Sequence, residues 1–337
     1  MRDSMKSDMA RIVLKSFTLK KEKKDMGKSD AIGKELMRNN TYFADAFNAG
    51  LFGGESLIDP NALDEVDPAE IELEDTEMGS DEFWTKYRDV LKRAFIKTDG
   101  KNYFVLLGVE NQTEIHTAMP LRSLLYDTLR YTKQAEDVAS EYRRQRKEGH
   151  PPKMNNAEFL SGWKYTDKLI PVITLVIYYG TDDWTGAKSL HDMFSEDVDE
   201  KILECVPDYK INLIEPNKIE DFDKFQSDFG ELLKSIRYKD DEAELTKIFT
   251  GMTAVDKLIA DAISYYVDER CSKMVETVKG GKVGMRSKAL DMIEERGKLS
   301  NAVATVKNLI RDFGFSLEQA CNAANISVDD YKKNSDK

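Results

Sequence analysis

The 337-residue chain has little cysteine, little proline and no long apolar run. Its three cysteines lie far apart, without the paired spacing of a zinc site or the density of a disulfide framework. We therefore expect a reducing, cytoplasmic location. The longest apolar run, at residues 169–180, is too short to span a membrane and contains a proline. Residues 1–26 are polar and basic and lack the apolar core of a signal peptide, so no membrane partner is expected.

The formal net charge of −12 argues against a protein coated with nucleic-acid-binding cations. The charge is unevenly distributed, however. Residues 51–85 contain no Lys or Arg, whereas residues 130–147 are basic. Because only local charge meets a phosphate backbone, an acidic chain can still bind DNA through one basic region.

Hydrophobic periodicity predicts helices at both ends of the chain and strands between them. A helical pattern covers residues 29–54, with a break expected at Asn39-Asn40, and the acidic stretch after Asp59 is interpreted as loop or short helix. Apolar strands, a helix opened by Pro120, and two further strands follow. This order predicts an α/β fold with a central mixed sheet. We expect three regions: a basic segment at 1–26, a domain at 27–240 and a helical C-terminal extension at 241–337.

Two carboxylates are predicted to face each other across a hairpin. Asp99-Gly100 lies between two apolar runs, which is a strong signal for a two-residue hairpin turn. In that register facing positions sum to 199, so Asp89 faces Glu110, with Cβ atoms about 4.5–5.5 Å apart. Like charges this close need compensation, and a divalent cation such as Mg²⁺ would provide it.

A purely structural interpretation of this pair is also open. Acidic residues are common at strand ends, and a β-bulge would shift the register. On spacing alone the structural interpretation is favoured over a metal site.

Several segments resemble a known family when taken together. They are "FADAFNAGLFGGE", "YRDVLKRAFIKTDGKNYFVLLGVENQTEIHTAMPLRSLLYDTLRYTKQ" and "PVITLVIYYGTDDW", within roughly residues 28–195. They resemble the Rpn family of recombination-promoting nucleases, also labelled "putative transposases", in the PD-(D/E)XK nuclease superfamily. The resemblance implies a restriction-endonuclease-like core and DNA cleavage that depends on Mg²⁺ or Mn²⁺. It reverses the preference for a structural interpretation of the pair.

The resemblance also implies which residues form the site. Asp89 matches the motif aspartate, and Glu110 and Gln112 match Glu-x-Gln, a variant of the superfamily's Glu-x-Lys; Asp89 and Glu110 would bind the metal. Gln112 cannot carry positive charge or accept a proton, so the general base is left open. A further carboxylate is expected on the first helix, from Asp30 or Asp45, although Asp30 can equally be a helix cap.

Basic residues on the long helix are candidates for DNA contacts. Arg122 and Arg130 share a helical face with Tyr126, and a second face carries Asp127, Tyr131 and Gln134. We expect one of these two faces to border the site, because the helix directly follows the Glu-x-Gln strand. The run "RRQRK" adds Arg143, Arg144 and Arg146 as candidates for phosphate contacts. The alternative for this run is an exposed helix end at which cations complement the helix dipole.

The combined hypothesis is a metal-dependent DNA endonuclease acting on double-stranded DNA, in recombination or transposition. The alternative is a non-catalytic DNA-binding or protein-interaction module on the same fold, and an RNA-cleaving enzyme is a second rival. His116 is either a proton carrier or a structural histidine. The final helices, one with a capping box that begins at Ser316, are expected to pack or to mediate homo-oligomerisation.

Overall fold

The computed structural model describes residues 26–67, 69–73, 84–87, 89–98, 101–252, 254–267, 276–277, 282–284 and 286–335. The chain forms two compact units. The first contains the residues up to Phe43, Asp59–Tyr178 and Gly186–Leu213, and the second contains Ala44–Ile58, Tyr179–Thr185 and the chain from Ile214 onward. The predicted segment 1–26 lies outside the described residues except for Met26. The predicted boundary at residue 240 stays a prediction.

The helices and strands of the described residues follow in chain order. The helices are α1 (Met26–Arg38), α2 (Asn40–Leu51), α3 (Met119–Lys147), α4 (Asn156–Ser161), α5 (Glu200–Leu203), α6 (Asp228–Arg237), α7 (Glu242–Gly251), α8 (Lys257–Tyr266), α9 (Arg286–Phe313), α10 (Leu317–Ala323) and α11 (Val328–Asn334). The strands are β1 (Leu63–Glu65), β2 (Ala69–Leu73), β3 (Trp84–Tyr87), β4 (Val90–Thr98), β5 (Lys101–Gln112), β6 (Val172–Tyr178), β7 (Asn212–Ile214), β8 (Val255–Asp256), β9 (Glu276–Thr277) and β10 (Lys282–Gly284).

The main sheet of the described residues has five strands in the order β1-β4-β5-β6-β7. Strand β4 pairs antiparallel with both β1 and β5, whereas β5 and β6 run parallel, so the sheet is mixed. Smaller sheets pair β2 with β3 and β10 with β8 and β9. The predicted α/β class, a mixed sheet flanked by helices with a helical C-terminal region, is confirmed.

The predicted hairpin register is also confirmed. Thr98 pairs with Lys101, and the ladder continues without a bulge to Val90 opposite Val109. The turn itself, residues 99–100, lies outside the described residues. Asp89 directly precedes β4, one position beyond the last pair of the ladder.

Helix α1 lies over one face of the sheet and ends at the predicted break, directly before α2. The Asn39 side chain accepts a hydrogen bond from the Thr41 N–H at 2.9 Å, which caps α2. Lys92 of β4 donates from Nζ to the Arg38 carbonyl at 2.7 Å and to Asn40 Oδ1 at 2.6 Å. This buried lysine therefore ties the break between the two helices to the sheet.

Helix α3 covers the opposite face. It begins at Met119 with a proline in its first turn, as predicted, because a proline there removes only an N–H that has no partner within the helix. Leu91, Leu106 and Val172 form a buried cluster against which Tyr131 of α3 packs. The Tyr131 hydroxyl also accepts a hydrogen bond from the Val172 N–H at 3.0 Å.

The interpretation of the stretch after Asp59 as loop or short helix is wrong for β1. Leu63 is buried and pairs with Ala94, and Asp64 forms an ion pair with Arg93 at 2.9 Å. One apolar residue facing the core and a cross-strand ion pair suffice to add this short edge strand, although its acidic composition suggested a loop.

The C-terminal helices pack against one another in the second unit, and α9 also contacts α7. The predicted capping box is present, with Ser316 and Gln319 exchanging hydrogen bonds at the start of α10. Val306, Ala320 and Cys321 form a buried cluster among these C-terminal helices. Oligomerisation through these helices stays a prediction. Within the described part of the chain, no helix combines the length and apolar character that crossing a membrane requires.

Candidate active site

Glu110 is a wholly buried carboxylate near the C-terminal end of β5. Removing a carboxylate from water costs several kcal/mol unless an opposite charge compensates it. Arg122, in the first turns of α3, supplies that charge, since its Nη2 lies 2.9 Å from Oε2 of Glu110. The strand therefore positions the acid, and the helix that follows it in the chain brings the cation.

Electrostatics hold Arg122 in its charged form. Burial alone would lower the pKa of Arg122, but the negative charge of Glu110 raises it, with smaller contributions from Tyr126 and Asp89. The guanidinium also lies 5.5 Å from the centre of the Tyr126 ring. Burial, followed by Glu110, raises the pKa of Tyr126, so its phenol stays neutral at ordinary pH.

Asp89 occupies the end of the sheet, at the start of β4. Its Oδ2 accepts a hydrogen bond from the Asn111 N–H at 2.7 Å, so the carboxylate caps the end of β5. Its Oδ1 lies 3.3 Å from Nζ of Lys34 on helix α1. Asp89 therefore contacts a cation of α1, and Glu110 contacts a cation of α3.

A glycine allows α1 to approach this strand end closely. A Cβ atom added at Gly33 would lie 2.9 Å from Cβ of Asn111, closer than such atoms normally come. Because Gly33 directly precedes Lys34, the close approach brings the lysine to Asp89. A larger residue at this position would push α1 away from β5.

Two cations of the protein compensate the two carboxylates. The hairpin register led us to expect a divalent cation between Asp89 and Glu110. In the structure, Lys34 contacts the first carboxylate and Arg122 the second. Metal binding stays a prediction, and any ion that bound here would compete with these two side chains. Gln112 is the last residue of β5, half-buried and two residues beyond Glu110.

The helical acids predicted for the site have different positions. Asp45 is buried in the second unit, where its carboxylate accepts hydrogen bonds from the N–H groups of Gln226 at 2.8 Å and Ser227 at 3.0 Å and from the Ser227 hydroxyl. It therefore anchors the start of helix α6. Asp30 lies within α1, which begins at Met26, so the expectation that Asp30 caps the helix start is wrong. The side chain of Asp30 lies outside the described residues.

The arginines predicted to contact DNA all make contacts within the protein. Arg122 pairs with Glu110, and the buried Arg130 donates to the Asp67 carbonyl at 3.0 Å. The remaining contacts are Arg143 with Ser140, Arg144 with Glu141, and Arg146 with the Phe159 ring. Arg122 and Arg130 do share the face of α3 directed towards the sheet. DNA contact by these arginines stays a prediction.

The available ligands suit a hard divalent cation. Among the described residues, no three or more His, Cys, Asp or Glu side chains gather in one place. Mg²⁺ often takes only one or two carboxylates from a protein and fills its remaining positions with water and substrate phosphate. Asp89 and Glu110 fit that requirement. His116, just beyond β5, is partly buried, and burial, followed by the charge of Arg122, lowers its pKa.

Comparison with protein families identifies the family of this chain. Residues 30–262 match the model of a family described as "Putative transposase, YhgA-like". The chain belongs to this family. The match spans more than half of the chain and includes β4 to β6 and α3, so it covers Asp89, Glu110 and Arg122. No curated protein and no solved structure gives a significant match. The family predicted from the sequence motifs is therefore confirmed.

Sequence reasoning missed Lys34 and Asn111. Lys34 follows Asp30 by one helical turn and carries no motif of its own. Its role depends on how α1 packs against β5. Asn111 was recognised only as the polar residue between Glu110 and Gln112. The available signal was the glycine at position 33, because a glycine within a helix often marks close packing.

Proposed function

We propose that this YhgA-like family member is a divalent-metal-dependent enzyme that hydrolyses phosphodiester bonds in DNA, with a role in recombination or transposition. The observation that carries the proposal is the pair of acids at one end of β4 and β5. Glu110 is completely buried there beside Arg122, and Asp89 lies at the adjoining strand end. Burying a carboxylate and holding it with an arginine is costly to arrange for packing alone. The family description supplies DNA as the substrate class.

Each side chain then has a defined task. Asp89 and Glu110 would hold Mg²⁺ or Mn²⁺, which when bound supplies polarisation of the scissile phosphate and activation of water. Arg122 can turn its guanidinium from Glu110 to the substrate and donate two hydrogen bonds to phosphate oxygens. Lys34 adds positive charge beside Asp89. Gln112 can orient water or phosphate through its amide but cannot take a proton.

Nicking of a supercoiled plasmid with Mg²⁺, Mn²⁺ or a chelator tests this proposal. We expect nicking only with a metal ion, and we expect Asp89→Asn to reduce its rate by at least about 100-fold, since metal-ion catalysis supplies several kcal/mol. This substitution keeps an oxygen that can accept the Asn111 N–H. Asp64→Asn is the matched control, because Asp64 is an exposed acid on the neighbouring strand β1. Unchanged nicking by Asp89→Asn would refute the site.

A second candidate function is a non-catalytic module on this fold. Lys34 and Arg122 favour it, because they compensate both carboxylates without a metal ion. Thermal unfolding with increasing Mg²⁺ separates the two candidates. A metal enzyme should gain stability as the ion binds the folded state, and Asp89→Asn should remove that gain. A non-catalytic module should show neither a gain nor nicking.

A further inference from the structure

An exposed apolar and basic surface lies at the far end of helix α3 in the first unit. It consists of the exposed Phe159, Leu160 and Tyr165 together with the partly exposed Arg146 and Lys164, and is called the distal surface below. Its three apolar side chains are between 57% and 85% exposed. Single exposed apolar residues need no explanation, but a group of them usually marks a binding site.

Hydrogen bonds hold residues 155–167 in place, while the apolar side chains of the distal surface stay exposed. Asn155 and Glu158 form a capping box at the start of α4. Glu158 also accepts the Tyr165 N–H at 3.1 Å, and Asp167 accepts the Lys164 N–H at 2.7 Å. The two acids are thus used to organise the loop. The apolar side chains stay exposed on an ordered support, which favours a preformed binding surface over a poorly packed loop.

Cations accompany the exposed apolar groups. The Arg146 guanidinium lies 5.0 Å from the Phe159 ring centre, and Lys164 Nζ lies 4.7 Å from that of Tyr142. Among the described residues, neither cation forms an ion pair with a carboxylate. Residues 143–168 contain seven Lys or Arg against three Asp or Glu, although the whole chain is strongly acidic. The distal surface therefore combines aromatic rings with available positive charge.

We propose that the distal surface binds an unpaired DNA strand. Such a strand presents base faces that stack on aromatic side chains, and phosphates that attract Lys and Arg. Duplex DNA offers the same phosphates but keeps its base faces stacked inside, so it would leave Phe159, Leu160 and Tyr165 unused. This inference takes from the proposed function only that DNA is the ligand.

The distal surface is well separated from the candidate active site. Arg122 and Arg146 are 24 positions apart on α3, which corresponds to about 36 Å along the helix axis. Substitutions at the distal surface therefore leave Asp89 and Glu110 untouched. Binding and cleavage can be measured independently, and the loss of one does not imply the loss of the other.

Fluorescence anisotropy with a labelled 15-nucleotide oligothymidylate, in the presence of chelator, tests the proposal without cleavage. We expect Phe159→Ser/Tyr165→Ser to weaken binding by about tenfold or more, as stacking contributes about 1–3 kcal/mol per base. Binding of a duplex of equal length should change much less. The control is Phe313→Ser, which removes an exposed ring from the second unit. All variants should unfold at the wild-type temperature, because the replaced residues are exposed.

Three results would overturn the proposal. These are unchanged oligothymidylate binding, equal losses for single strand and duplex, and conversion of a wild-type dimer to a monomer by Phe159→Ser/Tyr165→Ser. The last would make a second copy of this chain the occupant. If plasmid nicking is absent but the single-strand loss is found, the proposed enzyme fails and the distal surface stands. If nicking occurs but the double variant binds oligothymidylate as tightly as wild type, the proposed enzyme stands and the proposal for the distal surface fails.

Salt dependence gives an independent measure of the cations. Each phosphate contact on a single strand contributes about 0.7 to the slope of log affinity against log salt concentration. Arg146→Gln/Lys164→Gln should therefore reduce that slope by about 1.4. Lys332→Gln, at an exposed lysine of α11, should leave it unchanged. An unchanged slope in the double variant would contradict the assigned contacts.

Discussion

The two ends of helix α3 each carry a partly exposed arginine, but the two arginines have different partners. At the N-terminal end, Arg122 is three-quarters buried and lies 2.9 Å from the completely buried Glu110. At the C-terminal end, Arg146 lies against the partly exposed ring of Phe159 and makes no ion pair with a carboxylate of the described residues. The first arginine thus compensates a charge that the sheet buries, whereas the second has no carboxylate partner among the described residues and is available to a ligand.

The largest expected effect is a difference in stability between these two arginines. Arg122→Gln leaves Glu110 buried without its cation, so we expect the free energy of unfolding to fall by about 3 kcal/mol or more. Arg146→Gln should change it by less than about 1 kcal/mol. Urea denaturation measures both.

A double variant checks that the Arg122 effect comes from the pair. Glu110→Gln/Arg122→Gln removes both charges and should be more stable than Arg122→Gln alone. Equal losses at Arg122 and Arg146, or no recovery in the double variant, would contradict the comparison.

Lys92 can be compared with Arg122, because it is a wholly buried cation whose hydrogen-bond acceptors are neutral. Burial lowers the pKa of Lys92 to about 8, against a small opposing effect of Glu65. The unfolded chain therefore binds more protons than the folded protein between pH 8 and about 10.5, and folding stability should rise across this interval. We expect a gain on the order of 2 kcal/mol.

The measurement is the free energy of unfolding of wild type and Lys92→Met at pH 7.5, 9 and 10. Lys92→Met removes the titrating group, so its stability should rise less over the same interval. Identical pH dependence in the two proteins would show that Lys92 keeps an ordinary pKa.

Substitution of Gly33 tests how closely α1 packs against the end of β5 at the candidate site. Gly33→Ala places a Cβ atom 2.9 Å from Asn111, so α1 or Asn111 must move. We expect a loss of about 1 kcal/mol, since overpacking outweighs the gain in helix propensity. Gly251→Ala is the matched helical control, because nothing lies within 4 Å of its added Cβ. Thermal unfolding should show a lower midpoint for Gly33→Ala alone.

The smallest effect is expected at Lys34. Its side chain is one-third exposed, and its contact with Asp89 competes with a metal ion. Lys34→Gln should increase Mg²⁺ affinity by about two- to fivefold, in keeping with the 0.2–1 kcal/mol of a partly exposed ion pair. Calorimetric titration measures this, and Lys201→Gln, at an exposed lysine remote in sequence, is the control. Weaker Mg²⁺ binding by Lys34→Gln would mean that the lysine supports the ion.

Much of the local structure could be predicted from the sequence. Asp99-Gly100 predicted the pairing that places Val90 opposite Val109, and Ser316 with Gln319 predicted the start of α10. Both signals depend on residues that are neighbours in the chain. The edge strand β1 was missed because a single buried residue, Leu63, carries its pattern.

The candidate site was predicted in part. Asp89 and Glu110 follow from the hairpin register, and Arg122 lies on one of the two α3 faces that were candidates to border them. Its pairing with Glu110 was not anticipated, nor was the contact of Lys34 with Asp89. The role of Asp45 could not be predicted for the same reason. Its carboxylate accepts a hydrogen bond from the N–H of Ser227, which lies 182 positions further along the chain.

The sequence by itself determined the strand register, the helix starts and the types of charged residue near the strand ends, because turn and capping preferences act over a few neighbouring residues. Only the tertiary structure decided which cation meets which carboxylate. Lys34 reaches Asp89 because α1 packs closely on β5. Arg122 pairs with a carboxylate because the buried Glu110 lies beside the first turns of α3, whereas Arg146 has no such neighbour among the described residues. Burial and long-range packing set the electrostatic role of each charge, and neither is encoded in local spacing.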